Sequence, residues 1–219
     1  MKLLVPPQSG SLAGQTASRN RFGQYVRSRA IPVNPTSAAQ GIVRARLAAN
    51  SAAWRALTPA QRAGWSDLGL SMVRSDALGQ SYALQGNQAH ASVNNNRLLC
   101  GLTVIADAPA VATPVALTTI TLTCTAAAFS FVFAATPLAA ATYCAVFASP
   151  QRSAGRNFEG DFRFVKLSTA AQASPLIFTT EYTAKFGIPV IGNKIFLSVI
   201  TLTLGFQSGP TVVSSLVTA

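Results

Sequence analysis

The residue types best placed to do chemistry in this chain are arginines interleaved with aromatics: Arg19, Arg21, Phe22, Tyr25, Arg27 and Arg29. Guanidinium groups alternating with aromatic rings suit a nucleic-acid strand, whose phosphates take the charge and whose bases stack. They suit a protein surface equally, because Arg and Tyr are enriched among the residues that dominate binding. Arg44 and Arg46 continue the series. Residues 1–66 hold nine Lys or Arg and no Asp or Glu, the first acid being Asp67. Such a one-sided segment repels itself and is expected to lie against something negative. Eight of those nine cations are Arg, whose planar fork favours bidentate contacts with carboxylates or backbone oxygens at a fixed interface. Arg19, Arg21, Phe22, Tyr25, Arg27, Arg29, Arg44 and Arg46 are therefore the expected partner-binding residues. Protein is the expected partner, with nucleic acid held by residues 1–66 as the alternative.

The rest of the chain offers little reactive chemistry. His90 is the single histidine, and there are six acids in all. No Ser-His-Asp set, His/Cys metal spacing, dinucleotide fingerprint or P-loop can be assembled. His90 sits among the amides Gln85, Asn87, Gln88, Asn94, Asn95 and Asn96, and is expected to be a hydrogen-bonded structural residue. Glu159 and Asp161, separated by one glycine, are expected to act as turn residues or as ion-pair partners of Arg156 and Arg163. Cys100, Cys124 and Cys144 fit no zinc or redox motif. Cys124 and Cys144 lie in expected strands and could face each other, but buried free thiols are the expectation. The reading is of a non-enzyme without cofactor or metal.

Composition sets the context for these residues. Of 219 residues, 49% are hydrophobic and only 11% charged, about half the charged share of an ordinary soluble domain. A surface so poor in charge suits a protein packed against neighbours. The net charge of +11 is concentrated in residues 1–100, where eleven bases and two acids give +9. The apolar start Met1–Val5 ends at Pro6-Pro7, too short for a signal-peptide core, and no run reaches the roughly 20 apolar residues of a membrane span. A chain made in the cytoplasm without signal-directed export, and with no membrane partner, is expected.

Three regions follow from periodicity. Residues 1–33 have no period of 2 or 3.6 and are expected to form an extended basic arm. Its strand-like piece Phe22–Ile31 is expected to add to a neighbour's sheet edge. Residues 34–107 are expected to hold about three helices. The first is capped by Asn34 with Pro35 at its first position, and its apolar face is Ile42, Val43, Leu47, Trp54 and Leu57. The second starts at the capping box Thr58-Pro59-Ala60-Gln61 and runs to about Val73, packed on the first through Trp54 and Trp65. After a break at Gly79, the third spans Leu84–Leu99. From residue 108 the alanines give way to Thr- and Val-rich runs. Ala116–Cys124, Ala127–Ala134, Ala141–Ala148, Phe162–Leu167, Leu176–Thr183, Lys194–Leu204 and Thr211–Val217 read as about seven short strands, the rhythm of an antiparallel β-sandwich. The expected class is α+β.

Two stretches carry a resemblance. Arg19-Asn20-Arg21-Phe22-Gly23-Gln24-Tyr25 through Pro32-Val33-Asn34-Pro35, then Ala53-Trp54 with Thr58-Pro59, Gln61-Arg62 and Trp65, resembles the N-terminal half of uncharacterised proteins of tailed bacteriophages. Asn94-Asn95-Asn96-Arg97 through Gly101, and Asp107-Ala108-Pro109, are similar too. The C-terminal half resembles a fibronectin type III or immunoglobulin-like sandwich, although the immunoglobulin Cys…Trp…Cys signature is absent. The resemblance implies a virion structural protein, either a capsid decoration or minor capsid protein or a neck or tail component. Its partners would be other virion proteins and copies of itself in a symmetric assembly. A surface- or carbohydrate-binding module, using the loops around Arg152–Asn157 and Gly187–Asn193, is a further alternative.

Overall fold

The computed structural model describes residues 9–20, 23–31, 33–76, 78–134 and 136–219. The chain is α+β and divides into two compact units, Met1–Ile42 and Val43–Ala219, each described by itself.

The first unit is not an extended arm. It folds on itself into a three-stranded antiparallel meander of β1 (Gly10–Leu12), β2 (Gln15–Asn20) and β3 (Gly23–Ser28), in the order β1-β2-β3. The turn from β1 to β2 supplies the reason. Ala13 and Gly14 both take positive φ, and the carbonyl of Gly14 accepts the Arg29 N–H at 2.7 Å. That left-handed pair is a hairpin turn, and it pairs the segment internally.

Helix α1 (Ala38–Ala56) begins three residues later than the expected start at Pro35. The side chain of Asn34 closes a turn by accepting the Thr36 N–H, Thr36 takes φ 45°, and Ser37 Oγ accepts the Gln40 N–H. Asn and Ser compete for local backbone donors in this way, and here Ser37 opens the helix. Helix α2 (Pro59–Ser71) starts at the expected capping box. Thr58 Oγ1 accepts the Gln61 N–H at 3.3 Å, and Gln61 Oε1 accepts the Thr58 N–H at 3.0 Å. A short hairpin follows, β4 (Val73–Ser75) and β5 (Ser81–Ala83), whose turn is held by Asp76 Oδ1 accepting from the amides of Leu78 and Gln80. Helix α3 (Gly86–Leu99) packs on α2 at close range. A Cβ on Gly69 would meet the Leu84 carbonyl oxygen at 2.3 Å, and one on Gly86 would meet Ser66 Oγ at 2.7 Å, so both positions demand glycine.

Trp54 packs against the core cluster that contains Trp65. The His90 ring of α3 lies against both, at 5.5 Å from Trp54 and 4.9 Å from Trp65. Leu57, Trp65, Leu68, Ala89, Val93 and Phe206 form the helical core. The irregular segment that leaves α3 is strapped down over this core. Asn94 brackets Ile105 with two hydrogen bonds, Trp65 Nε1 donates to the Ala106 carbonyl, and Gln61 Nε2 donates to Asp107.

Beyond residue 108 two antiparallel sheets form. The smaller, in the order β10-β7-β6, holds β6 (Ile120–Cys124), β7 (Phe129–Phe133) and β10 (Leu176–Ile177). In the larger, β11 (Lys194–Thr203) is central. One edge of β11 pairs with β8 (Thr142–Ala148), which in turn pairs with β9 (Arg163–Leu167). Its other edge pairs with β13 (Thr211–Leu216) and β12 (Phe206–Gln207). Alternation aims Leu122, Cys124, Phe129, Phe131 and Phe133 from one sheet, and Cys144, Val146, Ile195, Leu197 and Val199 from the other, into one apolar core. Cys124 and Cys144 are free thiols, and burial pushes both up to about 12.

The run Leu176–Thr183 is not a strand throughout. It leaves β10 at Ile177 and becomes helix α4 (Thr179–Phe186). Thr179 Oγ1 accepts the Phe129 N–H at 2.8 Å, and Phe178, Tyr182 and Phe186 recur at helical spacing against the core. Gly187, at φ 85°, ends the helix by donating to the Thr183 carbonyl.

Candidate functional site

The eight side chains expected to bind a partner do not form one patch. Arg21 and Phe22 lie outside the described residues. In the meander, register places Tyr25 opposite Ser18 and Arg27 opposite Thr16, so Tyr25 and Arg27 share one face. Arg19 pairs with Gln24 and lies on the other face, beside Ala17, Val26 and Leu12. Arg29 follows the end of β3. β3 is an edge strand, paired only with β2 among the described residues. Strand addition at that edge therefore keeps a geometric basis, with Tyr25 and Arg27 presented beside it.

Arg44 and Arg46 belong to α1, where two residues of separation put them on different sides of the helix. Between them runs a stripe of Val43, Leu47, Asn50 and Trp54, spaced i, i+4, i+7 and i+11. The expected apolar face of α1 is present, but its first half is uncovered: Ile42, Val43 and Leu47 are 54%, 62% and 60% exposed. Trp54 is half-buried, and Asn50, the single buried residue of α1, is 2% exposed.

Asn50 and His90 meet at a cleft of about 340 Å3 lined by Leu47, Asn50, Ser51, Trp54 and Arg55 of α1 and by Asn87, Gln88, His90 and Ala91 of α3. His90 is 1% exposed, yet neither ring nitrogen has a hydrogen-bond partner, and Asn50 Oδ1 has none either. The expectation of a hydrogen-bonded histidine is thus wrong. Its amide neighbours bond elsewhere: Asn94 to Ile105, Asn96 to the Gly205 carbonyl, Gln88 to the Gln85 N–H. Burial without a partner lowers the His90 pKa, keeping the imidazole neutral. Arg62 lies over the Trp54 ring at 5.9 Å. The signal for this cleft was in the sequence. An Asn at the centre of the stripe, inside an alanine-rich helix, is a polar residue where packing wants an apolar one.

The acids are largely committed to structure. Glu159 is held by Arg152 and Arg156 and accepts the amides of Gly160 and Asp161, and these contacts hold its carboxyl down to about 2, the bond from Arg152 contributing most. Asp161 pairs with Arg163 at 3.1 Å, and Glu181 pairs with Lys166 at 2.7 Å. The expected ion-pairing of Glu159 and Asp161 is what the structure shows. Among the described residues no three His, Cys, Asp or Glu converge as metal ligands, and no helix is long and apolar enough to cross a membrane. A second cavity, of about 580 Å3, is lined by Ala112–Thr118 with Pro137, Leu138 and Thr201 and carries no charged group. Comparison of the chain with family models and with curated proteins found no match.

Proposed function

We propose that this chain is a structural, non-catalytic protein of a tailed-phage virion, docked onto other virion proteins and copies of itself through its N-terminal region. Its C-terminal sheets would act as an immunoglobulin- or fibronectin-like sandwich facing neighbours in a symmetric assembly. It would be made in the host cytoplasm and end in the particle. One observation carries the reading. The stretch with no acid also leaves large apolar side chains uncovered, Leu12, Ile31, Val33, Ile42, Val43 and Leu47 among them, so that here exposed apolar surface and unopposed positive sequence charge coincide. Exposed apolar groups framed by one sign of charge are the surface of a protein that is completed by a partner. The resemblance of Arg19–Tyr25 and Thr58–Trp65 to phage proteins supports the choice of assembly. The sharing of one core by two antiparallel sheets supports the sandwich.

Charge reversal of Arg19, Arg27 and Arg29 to Glu in the full chain, alongside deletion of residues 1–33, tests it. The expected result is a folded protein that no longer enters particles purified from cells making the whole assembly. Normal incorporation of both variants would sink the anchoring role. Nucleic-acid binding is a second reading, favoured by Tyr25 and Arg27 lying side by side on one face of β3. It requires affinity that falls by about 0.9 log units per log unit of salt for each duplex phosphate neutralised, so a flat salt response removes it.

A further inference from the structure

We propose that the groove between α1 and α3 is a docking site for an acidic amphipathic helix of another protein, one bearing an amide or hydroxyl donor among its apolar anchors. The inference rests on the reading of this chain as a docking protein but uses no residue of 1–33, so arm and groove fail separately.

The groove has a wall, a floor and a field. The wall is the α1 stripe: Leu47, Asn50 and Trp54 line the cleft, and Val43, one turn before Leu47, extends the stripe as exposed apolar surface. A volume of about 340 Å3 is at the small end of ligand pockets, enough for one or two inserted side chains. The floor is polar and unsatisfied. Asn50 Oδ1 and both His90 nitrogens are buried without partners, and a buried polar group left unpaired is destabilising until a partner arrives. A carboxamide or hydroxyl entering the cleft with the right hydrogen-bond partners relieves that cost, whereas a purely apolar insert does not.

The field chooses the occupant. At 3.6 residues per turn Arg46 falls on one flank of the stripe and Arg55 on the other, and Arg62 lies over Trp54. No acid precedes Asp67 in the sequence to offset them. A second copy of α1 would bring the same arginines into the same seam, and like charges juxtaposed at an interface disfavour that pairing. Nucleic acid would leave Val43 and Leu47 facing phosphates. A bilayer would cover them but cannot send a donor to Asn50. A helix with anchors at i, i+3 or i+4 and i+7, flanked by Glu or Asp, meets all three features.

Trp54 is a built-in reporter, since it lines the groove while Trp65 is buried with its ring N–H bonded to Ala106. The probe is a synthetic helical peptide of about five turns, with Leu anchors, a central Gln and Glu flanks. Titrated into the full-length protein, it should shift Trp emission saturably, and Trp54→Phe should abolish the shift. Leu47→Asp should weaken binding by about tenfold or more, and so should exchanging Glu for Lys in the peptide. Leu47 is exposed, so the variant keeps its fold, checked by an unchanged melting temperature. No saturable shift, or equal binding of the Lys peptide, overturns the proposal. So does sedimentation showing a dimer that Leu47→Asp dissolves, which would make a second copy the occupant. A shift produced by oligonucleotide or anionic vesicles but not by the Glu peptide overturns it as well.

Discussion

Helix α1 and strand β11 each carry a row of large apolar side chains and are opposite in what they do with it. β11 buries Ile195, Phe196, Leu197 and Val199 between paired strands on both edges. α1 buries one residue, an asparagine, and leaves Val43 and Leu47 in solvent. Charge separates the regions in the same way. Around β9 and the loop before it, Arg152, Arg156, Arg163 and Lys166 each meet a carboxylate, while the whole span 1–66 has no acid to offer its arginines. The core strand buries its aliphatic row and the bases near β9 are paired, whereas α1 leaves its aliphatic row exposed in a stretch whose sequence holds no acid. That contrast is a thermodynamic statement about where mutations should cost stability and where they should cost binding.

The largest expected effect lies in the sheet core. Phe131→Ala removes a fully buried ring that contacts Phe133 and Phe178 and should destabilise the protein by about 3–5 kcal/mol, read from the midpoint of urea unfolding. Next comes the contact of α2 with the chain entering α3. Gly69→Ala places a methyl against the backbone oxygen of Leu84, which cannot swing aside as a side chain can, and should cost about 1–3 kcal/mol in the same measurement. A cost below the range would mean that the helices separate easily and that the helical core belongs with the open half of the molecule.

How much of this was legible follows from which signals were local. The capping box at Thr58 and Gln61 and the alternation in β6 and β11 each depend on neighbours in sequence, and each is present in the structure. Helix α4 was missed because Thr179, Thr180 and Thr183 carry strand propensity, while the helical recurrence of Phe178, Tyr182 and Phe186 is only three residues deep. The meander hidden in residues 10–28 depends on positive φ at Ala13, a residue that seldom announces a turn. The basic side chains were legible as a set but not as a surface, because strand register and helix rotation disperse Arg19, Arg27, Arg44 and Arg46. The uncovered half of the α1 face was beyond sequence altogether. Periodicity tells which side chains align, and only tertiary structure tells whether anything packs on them.

Acid should expose the two halves in different pH windows. His90 holds its proton less tightly folded than unfolded, so the unfolded chain gains a proton first. Stability contributed by the neutral imidazole is complete above about 6.5 and declines as pH falls below it. His90→Leu removes an unpaired polar ring, should leave the protein at least as stable at neutral pH, and should abolish that decline. Glu159 behaves in a lower window. Its stabilisation is complete above the ordinary carboxylate pKa of 4.5 and is lost as pH drops towards about 2. Glu159→Gln should flatten that part of the acid transition and leave the one near 6.5 untouched. Melting temperature against pH separates the two.

The smallest expected change is the one that defines the comparison. Val43→Ser and Leu47→Ser each replace an aliphatic side chain with a hydroxyl, a substitution that in β11 would be severe. On α1 these side chains already sit in water, so folding returns little of their apolar transfer energy. Helix propensity changes by a few tenths of a kcal/mol, and each variant should unfold within about 0.5 kcal/mol of the parent. A loss of about 2 kcal/mol or more would mean that the chain itself covers the stripe in solution, and the docking groove would then be a part of the protein's own core. A neutral result leaves Val43 and Leu47 without a folding role, so the aliphatic groups at both positions can matter only to whatever binds there.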